Sequence, residues 1–259
     1  MIKFRLFVML FTSLNYKDGT MANIGKKYFV HILYISLLIT AIVGNLKAQW
    51  NEDVFNRQLK LFGGVCLPTG DFGSTGMQKG GYAKTGFSAG VEYNTKIKKD
   101  LEVGVMGNLS MNSIDEVAME KTFTEVIYYL TGHPGPWNLT TSSWLNIDIM
   151  GSAGFRTDVS PTVDIYGRGY LGLSIGFMPE IKLTSAIVNV MQTSATAAAF
   201  GYGLGAGMII DRHFDIGIRY ISAEPEFETT ASGGGFSFTG KSSQPMGRVL
   251  LQVGYVFNL

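Results

Sequence analysis

The chain has 259 residues, a formal net charge of +1 and only 16% charged side chains, so nothing in its balance points to nucleic acid. A single cysteine, Cys66, can form no internal disulfide, so the fold is not disulfide-stapled. Glycine, at 33 residues, stands well above its usual share of about 7%, and with 12% aromatics the composition suits a protein that carries a lipid-facing band.

Read from the N-terminus, residues 1–20 form a short upstream extension, and Met21 is the expected start. Lys26 and Lys27 precede an apolar run from Tyr28 to about Gly44, and Leu46-Lys47-Ala48 then precedes Gln49. A basic start, an apolar middle and a small residue at the break are the layout of a secretory signal over 21–48. A transmembrane anchor is the competing reading of the same run. No cysteine follows the break, so a lipid-anchored protein is not expected. Residues 49–56 make a short periplasmic segment, and the mature chain of roughly 210 residues fits one domain over 57–259.

From Arg57 onward, small or polar residues alternate with apolar ones in segment after segment. Eight strands are expected at about 57–67, 82–95, 101–112, 142–156, 162–177, 198–210, 214–224 and 247–257. The fifth is the clearest. Val163, Ile165, Gly167, Gly169, Leu171, Leu173, Ile175 and Phe177 share one face, with Asp164, Tyr166, Arg168 and Tyr170 on the other. Strands this long suit a membrane barrel better than a soluble sandwich, whose strands are typically five or six residues. The connections alternate strictly. Lys96–Asp100, Thr157–Pro161 and Asp211–His213 are tight and polar, whereas 68–81, 113–141, 178–197 and 225–246 are long. The expected fold is therefore all-β: an eight-stranded antiparallel up-and-down transmembrane β-barrel with short periplasmic turns and long outer loops.

Two loops carry patterns of their own. Glu226-Phe227-Glu228-Thr229 and Phe236-Ser237-Phe238-Thr239 flank Ser232–Gly235 and read as a hairpin above the membrane, either a partner-binding strand edge or a glycine-rich tip without a partner. In 113–141, Val126–Leu130 and His133–Trp137 read as a strand extension, a short lid or a patch against lipopolysaccharide.

If the apolar faces meet lipid, the other faces line the interior. Lys60, Lys84, Glu92, Glu102, Asp148, Arg156, Asp164, Arg168, Asp215, Arg219 and Arg248 then form a lumen network, joined by Gln58, Ser88, Asn94, Asn108, Asn146, Ser152, Tyr166, Tyr170 and Gln252. An eight-stranded barrel is only wide enough for side chains to fill, so these charges must pair across it. A one-residue slip in the first or seventh strand would exchange their faces. In the sixth strand Gly201, Gly203, Gly205 and Gly207 form an inward strip. They either make room for Tyr166, Arg168, Tyr170 or Arg219, or leave a crevice for a small apolar ligand.

Catalysis has weak footing. His31 lies in the signal, His133 in an outer loop and His213 in a periplasmic turn, so no strand histidine stands beside a serine. His133 with Ser142 or Ser143, and Asp148 with Asp164, are the constellations to be tested as acid/base groups. No His/Cys cluster has metal spacing, and no cofactor is expected.

Pro68-Thr69-Gly70-Asp71-Phe72, then Gly81–Phe87 and Gly90-Val91-Glu92-Tyr93, resemble the opening of the small outer-membrane β-barrel family of Gram-negative bacteria, and Gly254-Tyr255-Val256-Phe257 resembles its terminal insertion signal. The resemblance implies an outer-membrane location, outer-membrane lipid and lipopolysaccharide as surroundings, and the barrel-insertion machinery as a partner of the last strand. The peptidoglycan-binding domain of larger relatives is not expected. The resulting expectation is a non-enzymatic barrel, structural or recognising a surface partner through its outer loops, with a charge-plugged lumen and no nucleic-acid partner. An OmpW-like conduit or binding site for small hydrophobic molecules is the first alternative and a lipid-modifying enzyme the second. A soluble exported barrel with inverted faces comes last.

Overall fold

The computed structural model describes residues 57–76, 80–132, 137–184, 189–233 and 236–259. The signal, the upstream extension and His133 therefore lie outside the described residues. Eight long strands close a barrel: β1 (Arg57–Thr69), β2 (Gly86–Lys96), β3 (Leu101–Asn112), β5 (Trp144–Ser160), β6 (Val163–Met178), β9 (Ala195–Ile210), β10 (Phe214–Ala223) and β13 (Gly247–Asn258). Each pairs antiparallel with its barrel neighbour, and β1 pairs with both β2 and β13, which leaves no edge in the wall. Residues 97–100, 161–162 and 211–213 make the short turns at one end. In the last of these, Asp211 and Arg212 both take positive φ, 51° and 62°, as a tight hairpin reversal demands.

The faces fall as the alternation requires. Leu204 (69% exposed), Phe200 (68%) and Val253 (65%) stand bare on the outside, while Glu92 and Arg248 inside are fully buried. An outward apolar face and an inward charged one exclude the soluble barrel, whose faces would be reversed. The registers of β1 and β10 put Lys60 and Arg219 inside, which settles the slip in those two strands.

Five short strands form a second sheet in the order β12-β11-β8-β7-β4: β4 (Asn138–Thr141), β7 (Ile181–Thr184), β8 (Asn189–Gln192), β11 (Glu226–Gly233) and β12 (Phe236–Ser243). This order copies that of β5, β6, β9, β10 and β13, into or out of which they run. Five of the eight wall strands thus continue beyond the barrel as an open sheet. The pairing of Glu226–Gly233 with Phe236–Ser243 is the expected outer hairpin.

The wall of β1, β2 and β3 stops lower. A short 3-10 turn (Gly70–Phe72) and a helix, α1 (Glu116–Thr131), fill that side. The helix corrects the reading of Val126–Leu130 as a strand extension. Asp115 caps it by accepting from the Ala118 N–H, and Gly132 ends it in the left-handed region at φ 72°. Met119, Phe123 and Ile127, four residues apart, then share a face against the outer cluster. That cluster holds Phe72, Trp144, Phe227 and Met246, with Trp144 edge-on to Phe72 at 5.5 Å and to Phe227 at 5.9 Å. The Trp144 indole N–H donates to the Gly81 carbonyl at 2.9 Å, so its polar edge is satisfied as the ring is buried.

Candidate functional site: the barrel interior

Inward side chains stack in layers set by the strand registers. Nearest the turns, Tyr166, Ile209 and Val256 pack together. Above them lies an ionic layer centred on Glu92, the inward residue of β2 flanked by Lys60 of β1. One Glu92 oxygen lies 3.1 Å from the Lys60 ammonium and 2.8 Å from Arg219; the other lies 3.2 Å from Arg168 and accepts from the Tyr170 hydroxyl at 3.1 Å. Lys60 also reaches Asp215 at 3.2 Å. Arg168 bonds Glu102, whose other oxygen lies 3.6 Å from Arg156. The cations are seated on rings as well. Arg168 lies 4.1 Å from the centre of Tyr166, and Arg219 sits near Phe62 and Tyr170 at 4.8 and 4.5 Å.

Further from the turns comes a belt of Phe62, Met106, Met150, Ile221 and Leu250, with Cys66 and Tyr170 against it. Beyond the belt a second polar layer surrounds Asp148. It accepts from Arg248 at 2.9 Å, Asn108 at 2.9 Å and Ser174 at 2.7 Å, and Arg248 also donates to Ser110 at 2.8 Å. The outer aromatic cluster lies over this layer. Burying so many charges is tolerable only because partners stand within hydrogen-bonding reach.

The structure brings together Lys60, Glu92, Glu102, Arg156, Arg168, Asp215 and Arg219 in one layer and Asp148 with Arg248 in the other. Two residues depart from the expected network. Lys84 lies before β2, on the outside of the rim, because β2 begins at Gly86 rather than at 82; its side chain is exposed. Asp164 keeps its inward parity but sits half-exposed at the mouth beside Asp158, with no cation within ion-pair distance among the described residues. Asp148 and Asp164 cannot act as an acid/base pair. In the β5–β6 register Asp148 faces Ser174, ten residues from Asp164, which is about 33 Å of strand.

Side chains of neighbouring strands stand over the glycine strip. A Cβ on Gly207 would run into the Tyr166 hydroxyl, one on Gly205 would lie 3.1 Å from the Tyr170 ring, and one on Gly201 2.7 Å from Met150 Cε. The strip makes room for bulky side chains of neighbouring strands. His213 stacks on Tyr255 with ring centres 5.4 Å apart, and its Nδ1 is 3.1 Å from the Val256 carbonyl oxygen, at the turn end. Ser142 accepts from the Glu180 backbone N–H at 2.9 Å. Among the described residues no group of three His, Cys, Asp or Glu side chains is placed to hold a metal.

Ser110 and Asn112 are not among the residues expected to line the interior, whereas Ser174 falls on the polar face of the fifth strand with Tyr166, Arg168 and Tyr170. Ser110 and Ser174 bond the upper ion pair, and Asn112 accepts from the Cys66 thiol at 3.3 Å. Counting on in twos from Asn108 and Tyr170 reaches all three.

A closed barrel of eight antiparallel strands with an apolar exterior and paired charges within is a membrane-spanning β-barrel. Residues 62–239 match the family described as outer membrane protein beta-barrel domain. The chain belongs to that family and is an integral protein of the outer membrane. Among solved structures it is similar to Ail, the attachment invasion locus protein of Yersinia pestis, at 15% identity over 78% of this chain and 97% of that one, with a TM-score of 0.40. It is also similar to OprG from Pseudomonas aeruginosa, at 10% identity over 78% and 96% of the two chains and a TM-score of 0.40. A major outer membrane protein from Thermus thermophilus gives 11% identity, 78% and 99% coverage and a TM-score of 0.42. No match was found among curated protein sequences.

Proposed function

We propose that this protein is a non-enzymatic barrel with a sealed, charge-plugged lumen, and that its outer end serves a structural or surface-recognition role. The observation that carries the reading is the apolar belt of Phe62, Met106, Met150, Ile221 and Leu250 between two buried ionic layers. A hydrated ion following the lumen would have to lose its water at the belt and break the ion pairs on either side, and both steps cost several kcal/mol. The filled glycine strip counts against a conduit for small hydrophobic molecules. The separation of Asp148 from Asp164 removes one catalytic constellation.

Recognition falls to the outer sheet. Its β4 edge is blocked where Glu116 of α1 accepts from the Thr141 N–H at 3.2 Å and hydroxyl at 2.8 Å. At the other edge, β12 pairs only with β11 among the described residues and carries exposed Phe238 and Lys241, which suits strand addition by a surface partner. The last strand, β13, which carries Gly254-Tyr255-Val256-Phe257, is the segment offered to the insertion machinery. The decisive experiment is reconstitution in planar bilayers. A sealed lumen gives no steady ionic conductance, and a reproducible open-channel current from folded protein would overturn the reading. Lipid A mass spectra from a deletion strain test the enzymatic alternative, with unchanged spectra expected.

A further inference from the structure

Lys84, displaced from the lumen, stands at an unusual place on the outer wall. On the lipid-facing side Val65 of β1, Phe87 of β2 and Met111 of β3 lie side by side in register, and all three are exposed. One step higher on the same outward parity come Leu67, Thr85 and Ser113. An apolar row thus gives way to hydroxyls at the height where β2 begins, which marks the passage from acyl chains to headgroups. At this step the wall carries an open recess of about 420 Å³, lined by Leu67, Pro68, Gly73, Lys84, Thr85 and Ser113 among others.

The recess is built rather than incidental. The Lys84 N–H donates to the Ser113 carbonyl at 2.8 Å, and the Lys84 carbonyl accepts from the Asn112 side chain at 2.8 Å. Its backbone is therefore held on both sides, while its ammonium has no partner among the described residues. A lysine so placed carries its stem along apolar wall and its charge at headgroup level.

The geometry points to a binding site for an anionic lipid headgroup in this recess: a phosphate of the outer-leaflet glycolipid, held by the Lys84 ammonium with the Thr85 and Ser113 hydroxyls, its acyl chains lying on the Val65, Phe87 and Met111 row. A lipid rather than a free anion is favoured because the recess opens directly above that row. The inference rests on the outer-membrane location and not on a sealed lumen, so a conducting barrel would leave it standing.

The test is native mass spectrometry of the full barrel in mixed micelles titrated with bisphosphorylated lipid A or its dephosphorylated form. The wild-type barrel is expected to retain the phosphorylated lipid about fivefold more tightly, the effect of one lysine near an anionic surface. Lys84→Gln should lose that preference, Thr85→Val should weaken it, and the distant Lys241→Gln should leave it intact. Heat-modifiable migration verifies that each variant is folded. Equal retention of the two lipids by the wild type would overturn the proposal without recourse to any variant. An unchanged preference in Lys84→Gln would overturn it too, and full displacement by millimolar inorganic phosphate would reassign the recess to a free anion.

Discussion

Glu92 is the residue on which the lower ionic layer depends, and its removal has a calculable consequence. Glu92→Ala leaves Lys60, Arg168 and Arg219 facing one another with only Asp215 and Glu102 to neutralise them. Breaking a buried ion pair by deleting one partner costs about 3–5 kcal/mol, and a carboxylate shared by three cations belongs at the upper end. A folded domain is stable by about 5–15 kcal/mol, so the loss is a large share of the total. With a denaturant slope of about 2 kcal/mol per molar in urea, the unfolding midpoint falls by about 2 M. The assay is urea unfolding in detergent micelles, followed by tryptophan emission and by the folded band on unboiled gels. Lys241→Gln serves as the control, because its 3.6 Å pair with Glu226 is 64% exposed on both sides and is worth at most about 1 kcal/mol. Pairing Glu92→Ala with Arg219→Met should restore part of the loss, since the second change removes a cation that the first left bare. A midpoint for Glu92→Ala no lower than that of the control would refute the account of the interior.

Gly207→Ala should cost about 1–3 kcal/mol, because the added carbon meets the Tyr166 hydroxyl and the Ile216 carbonyl well inside van der Waals contact. Gly151→Ala, on the lipid-facing wall with nothing nearer than 3.8 Å, should be neutral in the same urea titration. Phe227→Ala should cost about 3–5 kcal/mol and shift Trp144 emission to the red, since it empties the space against that ring. Cys66, fully buried, should resist a maleimide in the folded barrel and react once boiled, so rapid labelling of the folded form would contradict its placement.

The barrel was legible because lipid on one side and a narrow lumen on the other impose a period of two on every wall strand. The same rule located most of the ionic layers, since inward parity alone selects Lys60, Glu92, Arg168, Arg219 and Arg248. It failed where something else governs the chain. Lys84 has lumen parity if β2 is drawn back to 82, but Tyr82 takes a positive φ of 51° and the stretch forms an isolated bridge, Ala83 to Ile114, instead of continuing the β2–β3 ladder. The run Val126–Leu130 looks like a strand by composition, yet Asp115 and Gly132 bracket it as the end of a helix. Capping residues were the better signal there, because they bear on the orphan amides and carbonyls that decide whether a helix can start and stop.

The inward apolar belt is the other exception to the alternation, and it bears on why the interior can hold so many charges. Phe62, Met106, Met150, Ile221 and Leu250 stand where a polar inner face would carry Ser, Asn or Gln. Apolar groups there exclude water from the faces of both ionic layers, and in drier surroundings each paired charge is attracted more strongly to its partner. The same surroundings make an unpaired charge more costly, so losing a partner in either layer is strongly unfavourable. On the proposed reading, belt and ion pairs are mutually dependent. Met106→Asn with Met150→Asn should therefore admit water, weaken the Glu92 pairs and produce a measurable leak in planar bilayers. A double variant that stays as tight and as stable as the parent would show that the ion pairs alone close the barrel.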